Sequence, residues 1–222
     1  CSGAVAGIEE NIDGVKTGID ARGAHLPVHG IASQGLNLLP VVQLSARPWR
    51  DLALVSGEGR GDMPREIVPL ALMRLDLSAN HPSPDHLVIA PPDTSIGALI
   101  QIDHAAFDDF WRFDRYGISE AIAATGTART LLIRGPNGEP VAFAIVGFGH
   151  AMAYLQRLAV HPSWQGQRMG RSLTRGAARM AHKAGSKAMI LNTQADNNAA
   201  IALYESEGFV TLAEPLALLR RG

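Results

Sequence analysis

The stretch Tyr154-Leu-Gln-Arg-Leu-Ala-Val160, His161-Pro-Ser-Trp164, Gln165-Gly-Gln-Arg-Met-Gly170, continued by a helical pattern to about Ala184, decides the fold. Its first seven residues read as a strand, the next four as a turn, and the residues from Gly170 onward as a long helix. A strand, a glycine-bearing turn and a helix N-terminus in that order make an anion cradle. The first N–H groups of a helix have no intrahelical acceptor, and the aligned peptide dipoles favour negative charge there. Gly166 and Gly170 permit a tight turn and the close approach of a ligand. Arg168 and Arg171 offer charge-assisted donors to phosphate. The same residues also suit a plainer reading, an ordinary Gln-Gly turn followed by the solvated face of a surface helix.

A second segment, Asn197-Asn-Ala-Ala-Ile-Ala-Leu-Tyr204-Glu-Ser-Glu-Gly208-Phe209, follows at a distance that admits one more strand, Ala188 to Asn192. Together the two segments resemble the main signatures of the GCN5-related N-acetyltransferase family. That family's cradle reads Gln/Arg-x-x-Gly-x-Gly/Ala after a hydrophobic strand and a Val-x-Pro turn. Gln165, Gly166, Gln167, Met169 and Gly170 fall on the pattern, with Val160 and Pro162 in the lead-in. Arg168 stands where the central glycine is usual, and right-handed helical geometry is expected there. The later signature, Asn-x-x-Ala-x-x-x-Tyr-x-x-x-Gly-Phe, is matched by Asn197, Ala200, Tyr204, Gly208 and Phe209.

The resemblance covers roughly residues 86 to 220. It implies an α/β fold with a mixed central sheet of the acyl-CoA N-acyltransferase type, in which the strand 153–160 and the strand 188–192 splay to admit a pantetheine arm. It implies transfer of an acetyl group from acetyl-CoA to a primary amine of a protein, peptide or small molecule. Tyr204 then takes the place of the general acid, and a phenol of reference pKa about 10 holds its proton near neutrality. Leu158 and Val160 would offer backbone groups to pantetheine, and Asn197 would bond the same region, although an Asn at a helix start is also an ordinary cap. Gln165, Gly166, Gln167, Arg168, Met169, Gly170 and Arg171 would hold the cofactor's phosphates. The resemblance implies no metal. The alternative left open is a non-catalytic acyl-CoA-binding sensor or interaction module, suggested by Arg168 and by the lack of a carboxylate on the strand Tyr154 to Val160.

No base is fixed by the sequence; His104, His150, Asp103 and Glu120 are the candidates from neighbouring segments. Phe107 to Asp114 occupies the usual place of the acceptor wall. There Asp108, Asp109 and Asp114 would attract a cationic amine, and Phe110, Trp111 and Phe113 would line its apolar part. The other reading makes these a helix end with aromatics in the core and acids outside.

Of 222 residues, 20 are Lys or Arg and 21 Asp or Glu, so no global charge draws the chain to nucleic acid or to an anionic membrane. A single cysteine excludes an internal disulfide and a Cys-rich metal site. No apolar run is long enough to span a bilayer. The chain begins at Cys1, which reads as a trimmed start rather than a lipoprotein terminus, and a cytoplasmic setting is expected because the cofactor is held there. Association as a homodimer stays open.

Residues 1–80 read as an N-terminal extension, partly irregular, with strands at Val41 to Leu44, Asp51 to Ser56 and Ile67 to Leu77, followed by a linker at Asn80 to Asp85. From 86 to 222 the pattern is an ordered acetyltransferase-like domain: a strand His86 to Ala90, a helix capped by Thr94 or Ser95, and a short helix about Ser119. A hairpin around Gly135-Pro-Asn-Gly138 follows, then the strand 153–160, helix 170–184, strand 188–192, helix 198–206 and strand 214–220.

Overall fold

From Glu66 onward, period-two and period-3.6 hydrophobic patterns alternate, and in the computed structural model they become one sheet with helices on both faces. The structure describes residues 68–77, 81–149, 151–214 and 216–218 with side chains, and the backbone of 17–19, 25–27, 52–54, 66–67 and 219–220. The chain divides into two units, Cys1–Val41 and Val42–Gly222. In the first, β1 (Thr17–Ile19) pairs antiparallel with β2 (His25–Pro27). Three residues per strand are too few for alternation to show, so this segment reads as loop in the sequence. The strand expected at Val41 to Leu44 lies outside the described residues.

The second unit holds β3 (Leu52–Leu54), β4 (Glu66–Asp76), α1 (Ile96–Ala106), α2 (Arg115–Ala123), β5 (Thr127–Arg134), β6 (Pro140–Phe148) and β7 (Met152–Val160). It continues with α3 (Met169–Lys183), β8 (Ala188–Gln194), α4 (Asn198–Ser206), β9 (Val210–Thr211) and β10 (Leu216–Arg220). The sheet runs β3-β10-β4-β8-β7-β6-β5, with β9 also on β4. Neighbours are antiparallel except β7 and β8, which are parallel. This is the mixed central sheet that the sequence implies.

The boundary expected between residues 80 and 86 is corrected by the sheet itself. β4 lies between β10 and β8, in register with β8 from Leu70↔Gln194 to Asp76↔Ala188. Leu72, Met73 and Leu75 of β4 are buried. A strand that is hydrogen-bonded on both sides belongs to the sheet, wherever the turn-rich segment after it falls. The strand expected at His86 to Ala90 shrinks to one bridge, Ile89↔Leu132, before Pro91 and Pro92 end it.

The alternation along β5 and β6 sends side chains to two cores. Leu131, Ile133, Ala142, Ala144 and Val146 meet Leu173, Ala177 and Ala181 of α3, whereas Leu132, Phe143 and Ile145 meet Leu99 and Ile102 of α1 and Ile118 of α2. Small residues on the buried face of α3 let it lie close to the sheet. Among the described residues no helix is long and apolar enough to cross a membrane.

Candidate active site

β7 and β8 pair only at their first residues, Met152↔Ala188, Ala153↔Met189 and Tyr154↔Ile190. Beyond Tyr154 they part, because β6 keeps β7 and β4 keeps β8. The N–H of His161 donates to the Val141 carbonyl on β6 at 2.9 Å. Backbone groups alternate along such a ladder, so those of Leu158 and Val160 point to the opposite, open edge. Gln165 Nε2 donates to the Val160 carbonyl at 3.1 Å. The Val160 N–H and both backbone groups of Leu158 are left facing the gap.

The gap is a cleft of about 710 Å³ lined by β7 from Leu155 to Val160, the end of β8 from Asn192 to Gln194, the turn before α3, and Asn197, Ala200, Leu203 and Tyr204. Ala106 and Phe107 also line it. In the turn, Gly166 has φ 74° and Arg168 has φ 63°, ψ 14°. The right-handed geometry expected at Arg168 is therefore wrong. A left-handed residue swings the chain into the helix axis just before the first turn of α3, which is why glycine suits the position and why an L-residue there costs roughly 1–2 kcal/mol.

The first ladder bond of α3 runs from the Ser172 N–H to the Arg168 carbonyl at 3.0 Å. The N–H groups of Met169, Gly170 and Arg171 precede that ladder, at the cleft these residues line. A Cβ at Gly170 would lie 3.1 Å from Leu203 and 3.8 Å from Leu158, so glycine lets the start of α3 approach both walls. Met169 itself is buried in the core.

Gln165, Gly166, Arg168, Met169, Gly170 and Arg171 all line the cleft; Gln167 does not. The Gln167 side chain reaches the Ser163 carbonyl at 3.4 Å, and its own carbonyl accepts from His86 Nε2 at 2.7 Å. Arg171 Nε lies 3.0 Å from Glu207 Oε1, outside hydrogen-bond angle, and Arg175 clamps the same carboxylate at 2.7 and 3.1 Å. The charge of Arg171 is thus already met, while the Arg168 side chain is exposed.

The Asn-to-Phe signature has a structural meaning at every position. Asn197 caps α4, its Oδ1 accepting from the Ala200 N–H at 3.1 Å, and its Nδ2 donates to Gln194 Oε1 at 3.1 Å. At the other end Gly208 has φ 91°, the Gly208 N–H donates to the Glu205 carbonyl and the Phe209 N–H to the Tyr204 carbonyl, each at 3.0 Å. This is a Schellman cap, and the contact that usually accompanies it is Phe209 against Tyr204, with ring centroids 5.6 Å apart. The caps fix Tyr204, which lies at the cleft wall with only 8% of its surface exposed. Burial pushes its phenol up to about 12, against a smaller pull from the charge of Arg157.

Arg157 and Gln156 line the same cleft and were missed as site residues. Ile145 of β6 faces Arg157 but Val146 faces Leu155, so Gln156 is an extra residue, a β-bulge. Without it Arg157 would share a face with Leu155 and enter the apolar core under α3. With it, Arg157 turns to the α1 face and meets Asp103. Nε donates to Oδ2 at 2.7 Å, and Nη2 donates to Oδ1 at 2.9 Å and to the Trp111 carbonyl at 2.7 Å. The guanidinium carbon sits 3.7 Å from the centre of the Phe107 ring and 3.9 Å from that of Phe113. Burial lowers the affinity of this guanidinium for its proton, and the hydrogen bond and charge of Asp103 oppose that. The signal in the sequence was an acid on the apolar face of α1 together with a base inside an apolar strand.

The other candidates serve structure. Asp103 is fully buried and held by Arg157 and the Phe113 N–H. His104 Nε2 donates to the Phe113 carbonyl at 3.1 Å. Asp108 accepts from the Phe110 and Trp111 N–H groups, Asp109 pairs with Arg112, and Asp114 caps α2. Trp111 and Phe113 are buried. Glu120 is not among the residues lining the cleft, and His150 lies outside the described residues.

Comparison with known proteins agrees with this architecture. Residues 96–209 match the model of the Acetyltransferase (GNAT) family. The curated [Ribosomal protein bS18]-alanine N-acetyltransferase of Escherichia coli is 42% identical over 73 residues, 33% of this chain and 49% of that protein. The chain thus spans about half the length of the curated relatives it matches. A putative GNAT-family acetyltransferase of Novosphingobium aromaticivorans superposes with a TM-score of 0.59 at 21% identity, over 83% of this chain and 79% of that one. The structure of the Escherichia coli ribosomal-protein-S18-alanine N-acetyltransferase gives 0.52 at 24% identity, over 61% of this chain and 92% of that one. At those identities the structures speak for the fold, and the family model covers more than half the chain: it belongs to the GNAT acetyltransferase family.

Proposed function

We infer that the chain is an N-acetyltransferase that moves the acetyl group of acetyl-CoA directly to a primary amine of a protein, peptide or small molecule. The observation that carries this is the meeting, in one cleft, of an unpaired β7 edge, the first N–H groups of α3 and the phenol of Tyr204. A long ligand with amides along its middle and a diphosphate at one end fits that arrangement. A cleft of about 710 Å³ also falls within the usual range for small-molecule sites. Identity with a relative named for acetylating an alanine supports an amine acceptor. A cytoplasmic setting follows from the supply of acetyl-CoA.

Bound acetyl-CoA supplies the thioester that donates the acetyl group. The N–H groups of Met169, Gly170 and Arg171 hold its diphosphate, with the exposed Arg168 adding charge beside them and Gln165 and Gly166 shaping the turn. Leu158 and Val160 align the pantetheine as an added strand does. Asn197 sets the start of α4. Tyr204 keeps a proton on its phenol oxygen for the departing sulfur. Asp103 does not act as base while it is bonded to Arg157, so the amine enters neutral or loses its proton to water. No cysteine lines the cleft, and direct transfer needs none.

Tyr204→Phe tests the assignment. It removes one hydroxyl and keeps the ring against Phe209. Affinity for acetyl-CoA should stay within about twofold while turnover falls roughly 10- to 1,000-fold. Unchanged turnover, with chemistry shown to limit the rate, would remove Tyr204 as proton donor. Tight cofactor binding with no turnover on any amine would favour a sensor instead.

A further inference from the structure

The face of β7 toward α1 and α2 carries two polar side chains that acetyl-CoA binding does not use. The Arg157 side chain is 2% exposed; its Nε and Nη2 are spent on Asp103 and Trp111, and Nη1 makes none of those bonds. Its guanidinium carbon lies 3.7 Å from the centre of the Phe107 ring and 3.9 Å from that of Phe113, which with the bonds to Asp103 orients it. Gln156, the neighbouring bulge residue, has a buried Oε1 with no hydrogen-bond partner. Its amide carbon fills the space where a Cβ on Gly147 would come within 2.9 Å, so Gly147 makes room for it. Both residues line the cleft.

A buried acceptor without a partner is costly and is satisfied when a ligand brings a donor, and a guanidinium N–H outside the Asp103 and Trp111 bonds can donate to a ligand oxygen. Gln156 Oε1 suits an amine N–H. Arg157 Nη1 suits an oxygen. Asp103 already balances the charge of Arg157, so a neutral carbonyl oxygen adds no net charge to the buried pair, whereas a carboxylate leaves one uncompensated.

We propose that the acceptor is an α-aminoacyl group, a primary amine whose adjacent carbon bears an amide carbonyl, with Gln156 Oε1 accepting from the amine and Arg157 Nη1 donating to the carbonyl. This rests on the acetyltransferase reading above and narrows its substrate class. In the transfer a C–N bond forms between the amine and the acetyl carbon, and the C–S bond breaks. The sulfur takes the proton of Tyr204, and the proton lost by the amine returns to Tyr204 through solvent.

The test compares alaninamide, free alanine and isopropylamine as acceptors, with kcat/KM referred to neutral amine because their basicities differ. Alaninamide should exceed isopropylamine by about tenfold or more, with free alanine below alaninamide. Gln156→Met, which keeps the volume and removes the acceptor oxygen, should lower kcat/KM for alaninamide and isopropylamine alike by about tenfold, leaving their ratio in place, while acetyl-CoA affinity by calorimetry is unchanged. If that variant does not fold, the wild-type ratio alone decides. Equal use of isopropylamine by the wild type, or unaltered kcat/KM for both amines in Gln156→Met, overturns the proposal and leaves acetyl transfer standing. A preference for free alanine overturns the neutral-carbonyl assignment. Absence of acetyl-CoA binding overturns the acetyltransferase reading and this proposal together, whereas binding with none of the three amines acetylated overturns this one.

Discussion

Arg168 occupies a left-handed conformation, φ 63°, just before α3, alone in this among the described non-glycine residues. Strain kept at such a position points to a use for the side chain. Arg168→Gly should therefore act in opposite directions on two measurements. Relief of the backbone should stabilise the fold by about 1 kcal/mol, raising Tm by roughly 2–4 °C, while loss of the cation should weaken acetyl-CoA binding severalfold. Tighter binding in the variant would mean that the arginine obstructs the cofactor. Tyr204 makes a second prediction, in pH. Its folded-state pKa is raised from 10.0 to about 12 by burial, so the folded protein holds this proton more tightly than the unfolded chain between those values. The contribution is fully present below pH 10 and is lost as pH climbs toward 12. Denaturant unfolding of the wild type and Tyr204→Phe across pH 9 to 12 should show a steeper alkaline loss in the wild type. Parallel curves would contradict the buried phenol. The conformation of Arg168 could not be read from residue types, since arginine is common in right-handed helix starts and its neighbour Met169 is a good helix former.

At the scale of elements, α3 and α4 were legible because their ends carry local chemistry. Asn197 with Ala200 marks one start, and Gly185 and Gly208, both at positive φ, mark two ends. The hairpin of β5 and β6 was legible for the same reason. β4 was recognised as a strand but not as part of the sheet, because its partners Ala188–Gln194 and Leu216–Arg220 lie more than a hundred residues away and pairing over that distance leaves no local mark. The bulge at Gln156 was hidden too: Leu155-Gln-Arg-Leu158 reads equally well as regular strand, and only Asp103 across the fold shows which way Arg157 must turn. The placement of β4 predicts how truncation behaves. A chain starting at Val42 should fold and bind acetyl-CoA, whereas one starting at Asp85 loses the strand between β8 and β10 and should give no cooperative thermal transition by circular dichroism. A well-folded, cofactor-binding product from Asp85 would show that β4 is dispensable.

Over the whole molecule, charge is nearly balanced, with 20 basic and 21 acidic residues, so attraction of an anionic cofactor has to arise locally. In the proposed site it would arise where β7 and β8 part: one strand edge is freed, the N-terminus of α3 lines the gap, and the cap of α4 fixes the phenol of Tyr204 on its wall. The opposite face of β7 carries a neutralised but incompletely bonded Arg157, so donor and acceptor substrates would approach one strand from two sides. All of this depends on the cleft taking acetyl-CoA. Isothermal titration of acetyl-CoA into the full chain, with the Gly170→Leu variant as control, tests it most directly. The account predicts a one-to-one complex in the wild type and strongly weakened binding in the variant, whose side chain would collide with Leu203 and fill the start of the cradle. No binding by the wild type at millimolar acetyl-CoA, or equal binding by both proteins, would contradict it.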